Sequence, residues 1–387
     1  MLDVAASRPP LTQLSDEESL FRDAVAAFAN DEVRPRVKDM ESAGKLDKAL
    51  IDATFGLGLM GIGVPEPLGG SAGTLFMVAL AVEEISKVDA SAAILVDVQN
   101  TLVNYPVNRY GSDALKAKYL PRLTSASVGA YALSEAGSGS DAFGLATHAV
   151  KKGDDWVLSG RKMWITNGAE AEIYVVFANA NPDAGYKGIT AFIVERGFPG
   201  FSVGKKEDKL GIRASSTTEL ILDNVPVPAA NVLGPVGQGY KIAIETLNEG
   251  RIGIGAQMIG IAQGALAATV AYVQERHQFG KPVSDFQGVQ FQLAQARVDV
   301  EAARLMVYNA ARTKDCGGDI AMEGAMAKLK SSQVADRVTS LCVELFGGYG
   351  YTKDFPVEKF YRDAKIGTIY EGTSNMQLQT IAKQMLK

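Results

Sequence analysis

The spacing of apolar positions along the chain changes twice. Behind the capping-box pattern Ser15-Asp16-Glu17-Glu18, the residues Leu20, Phe21, Val25, Phe28 and Val33 recur at helical spacing. Further helical runs follow at about 47–58, 73–87 and 90–109, and Ser112-Asp113 can cap one over 114–122. From about 128 the period shortens to that of strands, with runs at 129–134, 156–166, 172–178, 188–195, 201–204 and 217–223. Gly, Asn, Asp and Pro separate these runs, and Lys151 to Leu158 reads as a hairpin around a Gly-Asp turn. Beyond about 236 helical spacing returns over 238–275, 286–314 and 320–346, segments too long for βα units and suited to a bundle. Thr373 or Ser374 is placed to cap a last amphipathic segment carrying Met376, Leu378, Ile381 and Met385. The pattern predicts an α+β multidomain chain: an all-α domain over 1–127, an antiparallel β domain (barrel or sandwich) over 128–235, and a helical bundle over 236–387.

Composition narrows the chemistry. With 21% charged and 47% hydrophobic residues and a net charge of −5, the chain has no electrostatic reason to bind nucleic acid. No apolar stretch is expected to reach the ~20 residues that span a membrane. Met1-Leu2-Asp3-Val4-Ala5 has neither a secretory apolar core nor an Arg-rich presequence. The expectation is a cytoplasmic protein, or one of the mitochondrial matrix if a presequence has been removed. Cys316 and Cys342 make neither a disulfide framework nor a zinc site, and no metal is expected. The histidines are His148 and His277; His148 lies in an alternating run, and no Gly-x-Ser-x-Gly accompanies either. Carboxylates, hydroxyls and a bound cofactor are left to carry a reaction. Gly56-Leu57-Gly58-Leu59-Met60-Gly61 matches a dinucleotide fingerprint in letters, but a helical run precedes it and Pro65 and Pro67 follow, so it reads as a turn.

Five stretches hold more than packing logic. Tyr131 to Asp141 runs a strand into small residues (Ser134, Gly137, Ser138, Gly139, Ser140), where backbone N–H groups and hydroxyls can approach a flat polar ligand; a flexible loop is the alternative. In Lys162-Met163-Trp164-Ile165-Thr166-Asn167 the indole and the Thr hydroxyl are two apart, hence on one strand face, an arrangement suited to an aromatic cofactor or to a core Trp beside a solvated Thr. Arg276-His277-Gln278-Phe279-Gly280 with Gln287, and Phe346-Gly347-Gly348-Tyr349-Gly350-Tyr351, can hold phosphates or simply end helices. Tyr370-Glu371-Gly372-Thr373-Ser374-Asn375 places one carboxylate between an aromatic ring and a glycine at a helix N-terminus.

Together these stretches resemble the acyl-CoA dehydrogenase family of flavoproteins, over nearly the whole chain. Ser134-Glu135-Ala136-Gly137-x-Gly139-Ser140-Asp141, Trp164-Ile165-Thr166 and Ile369-Tyr370-Glu371-Gly372-Thr373-Ser374 carry the likeness. Val98 to Leu102, Tyr186 to Thr190, Asn248 to Gly253 and Gly350 to Asp354 carry a closer one, to the short/branched-chain subfamily. The resemblance implies a middle β-barrel domain, a C-terminal four-helix bundle, bound FAD and a homotetramer. It also implies electron-transferring flavoprotein as electron acceptor. Glu371 would remove the pro-R α-proton of an acyl-CoA while the β-hydrogen leaves as hydride to flavin N5, giving a trans-2-enoyl-CoA. Burial against flavin and acyl chain would raise the pKa of this carboxylate into a useful range.

Residue by residue, the resemblance places Tyr131, Leu133, Ser134, Gly139 and Ser140 at the flavin and pyrophosphate. Trp164, Ile165 and Thr166 would hold the ring, with Thr166 bonded to N5. Arg276, Phe279, Gln287, Gly347 and Gly348 would hold the adenine-diphosphate half, partly from a neighbouring subunit, with Thr373 and Asn375 on the same dinucleotide. Substrate would meet Ser140, Tyr186, Tyr240, Asn248, Arg251 and Gly372; for Arg251 a buried ion pair is the structural alternative. Relatives of the isovaleryl and long-chain types carry the base at the position of Gly250, which has no side chain here; Glu249 lies about 100° further around a helix.

The expected substrate is a short or 2-methyl-branched acyl-CoA. Apolar Ile94, Leu95, Val98 and Leu102 leave 2-methylbutyryl, isobutyryl and butyryl groups undecided, since a methylene is worth about 1–3 kcal/mol. The rival readings are an oxidase of the same superfamily and a non-catalytic flavoprotein scaffold.

Overall fold

The computed structural model describes residues 10–386; the Met1 to Ala5 stretch and Lys387 lie outside them. Seven helices come first: α1 (Asp16–Phe28), α2 (Val37–Ala43), α3 (Lys48–Gly56), α4 (Leu75–Ser86), α5 (Ala90–Asp97), α6 (Tyr105–Tyr110) and α7 (Asp113–Ser125). The capping box forms as expected, with Ser15 Oγ accepting from Glu18 N at 3.1 Å and Glu18 Oε2 from Ser15 N at 2.9 Å. The run expected to be helical over 90–109 contains a π-helical turn, Val98–Asn104, between α5 and α6. The buried amides of this turn lock it: Gln99 donates to Leu123 O (2.6 Å) and accepts from Gly129 N (2.7 Å), and Asn100 donates to Leu59 O (2.8 Å). The Gly56 to Gly61 stretch is a turn and a short 3-10 segment.

The middle of the chain is one sheet of β1 (Gly129–Ala132), β2 (His148–Lys152), β3 (Asp155–Thr166), β4 (Ile173–Asn179), β5 (Ile189–Glu195), β6 (Phe201–Lys206), β7 (Thr217–Val227) and β8 (Val232–Leu233). The strand order is β6-β7-β3-β2-β4-β5-β8. Most neighbours are antiparallel, but β1 runs parallel to β4, and β2 meets β4 in parallel through His148 and Asn179. Both β4 and β5 are buried almost throughout, consistent with their continuous apolar runs.

Apart from a short hairpin over 277–282, the remainder is helical: α8 (Gly239–Glu275), α9 (Gln287–Asp315), α10 (Ala321–Phe346), α11 (Val357–Ala364) and α12 (Ser374–Met385). One expectation needs correction. Residues 252–274 carry no charged side chain, and α8 is long and apolar enough to cross a membrane by length and composition. Most of that stretch is buried inside the protein instead. Its polar side chains are matched to neighbours, with Gln257 donating to Ala90 O (2.9 Å) and Gln263 to Glu83 Oε1 (2.9 Å). The helix is apolar because α4, α9 and α10 enclose it.

Candidate active site

The turn that carries Glu371 is built from two successive left-handed residues, Glu371 (φ 50°) and Gly372 (φ 91°). Glycine adopts this conformation freely, whereas a glutamate there is strained by about 1 kcal/mol or more. Three contacts hold it. Lys328 Nζ of α10 donates to Gly372 O at 2.6 Å, and Gln377 Nε2 of α12 donates to Gly372 O at 2.8 Å and Glu371 O at 3.2 Å. Thr373 then caps α12 through Met376 N.

The Glu371 carboxylate is aimed at α8. A Cβ at Gly250 would lie 2.2 Å from Glu371 Oε2 and 2.8 Å from Leu102 Cδ2, so the missing side chain of Gly250 is the space the carboxylate fills. Oε2 is buried and has no hydrogen-bond partner. Burial pushes its pKa up to about 7, against the opposing pull of Lys328 and Arg251. Arg251 bonds to Asn248 Oδ1 at 2.9 Å, and its Nε is buried without a partner. Glu249 turns away and pairs with Lys314 at 2.7 Å.

Asp97 and Gln257, buried polar groups that the sequence reading did not single out, stand by the Tyr370–Glu371 turn. Asp97 on α5 accepts from Thr101 Oγ1 at 3.1 Å, and burial together with the Glu371 charge holds it well above the usual carboxylate range. Tyr370 OH bonds to Gln257 Oε1. The signal available for Asp97 was a lone charge in an apolar helical run, Ile94-Leu95-Val96-Asp97.

At the end of β1 the loop from Ser134 is joined to β3. Met163 N donates to Ser134 O (2.9 Å), and buried Lys162 reaches both Leu133 O (3.0 Å) and Glu135 Oε1 (2.7 Å). Glu135 also accepts from Ala146 N and Thr147 N, closing the loop on itself. The β3–β7 register shifts between Lys162 and Ile165, and Trp164 sits in that bulge at φ 64°. Bulges re-aim side chains, and Trp164 is 57% exposed, which excludes the core-Trp alternative. Ile165 points the other way and is buried, while Thr166 is half-buried on the Trp164 side. Tyr131 is also buried, packed on Phe177, with its hydroxyl unpartnered. No atom lies within 4 Å of where a Cβ would stand on Gly137 or Gly139, so this loop is open to close approach.

The start of α8 meets the same region. Tyr240 stacks edge-on against Tyr186 (5.1 Å) and faces Phe143 (6.5 Å), which follows Ser140 in the loop. Tyr240, Asn248 and Arg251 thus descend α8 toward Gly250 and the carboxylate. Thr373 and Asn375 stand at the first turn of α12.

The remaining predicted residues gather elsewhere. Arg276, Gly347 and Gly348 line a cavity of about 480 Å³ that none of the Ser134-loop or Glu371-turn residues borders. Phe279 and Gln287 are not among its lining residues; Phe279 is 94% exposed on a short hairpin. A larger groove of about 1190 Å³, lined from α1, α2, α4, α8, α9 and α11, contains none of the predicted site residues.

The helical, sheet, helical order and the buried carboxylate over a glycine of the longest helix are those expected of an acyl-CoA-oxidising enzyme of the family the sequence resembles. The family models agree: acyl-CoA dehydrogenase N-terminal, middle and C-terminal domains match residues 15–127, 130–225 and 237–386. The chain belongs to the acyl-CoA dehydrogenase family. It is 55% identical over 379 residues to a Dictyostelium discoideum protein described as "Probable short/branched chain specific acyl-CoA dehydrogenase", covering 98% of this chain and 92% of that one. It is 51% identical to the mitochondrial short/branched chain specific acyl-CoA dehydrogenase of Rattus norvegicus, covering 97% and 87%. The solved butyryl-CoA dehydrogenase of Megasphaera elsdenii is 44% identical with a TM-score of 0.95, covering 97% and 99%.

Proposed function

We propose that this chain catalyses FAD-dependent α,β-dehydrogenation of a short or 2-methyl-branched acyl-CoA, with Glu371 as the base. The observation that carries the proposal is the Glu371 carboxylate: buried, unpartnered at Oε2, and seated in the space of a missing side chain. The exposed Trp164 ring, Thr166 beside it and the open Gly137 and Gly139 backbone fit a flat dinucleotide such as FAD. FAD, when bound, supplies the acceptor for the hydride leaving the β-carbon.

The protein's own part is proton chemistry. Glu371 accepts the α-proton at its carboxylate and becomes neutral, and a proton affinity raised to about 7 makes it a stronger base than an ordinary carboxylate. Its backbone N–H is assigned to the thioester oxygen, to steady it as charge develops there. Arg251, with its unpartnered Nε, and Asn248 supply polarity on the CoA side. Arg276, Gly347 and Gly348 are assigned to the dinucleotide's phosphate half, and Phe279 and Gln287 to the dinucleotide of a neighbouring subunit. Phe291, Val298 and Leu305 form an exposed apolar stripe at heptad spacing on α9, which supports a homo-oligomer. Electron-transferring flavoprotein is proposed as acceptor on the family likeness.

Anaerobic bleaching of the flavin by 2-methylbutyryl-, isobutyryl-, isovaleryl- and butyryl-CoA tests the reading, with Glu371→Gln as control. Fastest bleaching by 2-methylbutyryl-CoA, lost in the variant, is the expected result. Fastest bleaching by butyryl-CoA would favour a straight-chain enzyme, the second reading that the Megasphaera likeness supports. No bleaching by any of them overturns the proposal.

A further inference from the structure

We propose that Lys328 is a positioning residue for the proton-abstracting carboxylate, holding the Glu371–Gly372 turn and facing it with a buried positive charge. The proposal rests on the reading of Glu371 as base. Lys328 is fully buried in α10, where an ammonium is costly unless its environment compensates it. Elsewhere this protein compensates its buried lysines with carboxylates: Lys162 with Glu135 at 2.7 Å, and Lys359 with Asp89 and Asp363 at 2.7 and 2.6 Å. Lys328 instead spends a 2.6 Å bond on Gly372 O, the carbonyl immediately after the base. Gln377 bonds to the same carbonyl from the opposite helix, so α10 and α12 grip one peptide between them. Ser332, one turn along α10, lies 2.9 Å from Gly367 O and ties the same helix to the approach into the turn.

The ionisable groups around the carboxylate come from every packed element: Arg251 of α8, Lys328 of α10, Asp97 of α5, Tyr131 of β1 and the adjoining Tyr370. Burial and the Glu371 charge hold Asp97, Tyr131 and Tyr370 toward their neutral forms. The positive charges opposing the burial of Glu371 are therefore those of Arg251 and Lys328. Burial brings Lys328 itself down to about 8. Removing its charge makes Glu371 harder to ionise, so the acid limb of the reaction moves to higher pH. Removing Gln377 loosens the turn without changing charge, so the rate falls while the limb stays in place.

Flavin bleaching by butyryl-CoA is followed by rapid mixing across the neutral pH range in FAD-loaded wild type, Lys328→Gln, Lys328→Arg, Gln377→Leu and Glu371→Gln. The expected result is a limb about one pH unit higher in Lys328→Gln, with a roughly tenfold loss on the acid side that alkaline pH restores. Gln377→Leu is expected to be slower at every pH with the limb unmoved. A wild-type profile in Lys328→Gln overturns the proposal, as does a displaced limb in Gln377→Leu. Should Lys328→Gln fail to load FAD, Lys328→Arg decides, because it keeps the charge: an unmoved limb supports the proposal and a limb displaced by a unit overturns it. Wild-type bleaching by Glu371→Gln instead defeats the base assignment itself, a separate outcome.

Discussion

Among the described residues, Glu135 and Glu371 each stand near a fully buried lysine, and the two arrangements lead to opposite chemistry. Glu135 and Lys162 touch at 2.7 Å, and Glu135 accepts two backbone N–H bonds as well; its pKa is lowered despite burial, by the charge and hydrogen bonds of Lys162 and then of the loop. Glu371 and Lys328 face each other without such a contact: the lysine bonds to a carbonyl, and one carboxylate oxygen has no partner. Burial then dominates, and Glu371 is pushed up to about 7. Both lysines come down to about 8. A saturated pair fixes a loop, whereas an unsaturated one leaves a carboxylate that can take a proton.

The sharpest way to break the comparison is to remove each carboxylate. Glu371→Gln is expected to slow substrate-driven flavin bleaching by 10²–10⁴-fold, roughly the worth of a positioned base, with FAD retained. Glu135→Gln should instead act on stability. It leaves Lys162 as an unpaired buried charge and is expected to cost about 3–5 kcal/mol in a denaturant melt. Equal bleaching losses in both variants, at equal stability, would erase the distinction.

A third variant acts on the space rather than on the charge. Gly250→Ala places a Cβ 2.2 Å from Glu371 Oε2 and 2.8 Å from Leu102 Cδ2, distances no side chain tolerates. The carboxylate must move. Since about 1 Å of misplacement is worth roughly 10²-fold in rate, bleaching should fall by that order, with about 1–3 kcal/mol lost to overpacking. Unchanged bleaching in Gly250→Ala would show that the carboxylate works from another position.

Much of this contrast, though not all, could be read from the sequence. The change from helical to strand period and back was visible in apolar spacing, because each domain buries one face of its elements. Glu371 was visible through the motif around it. The lysine that grips its turn was not, because its partner is a backbone carbonyl 44 residues later, and a carbonyl leaves no trace in residue type. Gly250 was visible as an absent side chain, but what fills the space was not. The π-helical turn at Val98–Asn104 adds its irregularity inside a run whose apolar residues Val98, Leu102 and Val103 still read as ordinary helix. The parallel pairing of β1 with β4 depends on which way the chain returns across the sheet, which a strand pattern does not encode.

The smallest expected effect separates the pairs by the sign of their pH dependence. Glu371 has a folded pKa raised from the ordinary 4.5 to about 7, so between those values the unfolded chain holds fewer protons than the folded one. Its contribution to stability is fullest below 4.5 and is lost as pH rises through 7. Glu135 is lowered, so its contribution is present above the ordinary carboxylate range and is lost as pH falls through its folded value. Glu371→Gln should therefore gain on the wild type as pH rises from about 5 to 8, by on the order of 1 kcal/mol, since the amide remains poorly bonded in the same site. Glu135→Gln should do worst against the wild type near neutral pH and approach it in acid. Denaturant melts of both variants at about pH 5 and pH 8 measure the two slopes. Slopes of the same sign would mean that the Glu371 carboxylate, like Glu135, is a satisfied ion-pair partner, and that proton abstraction needs another group.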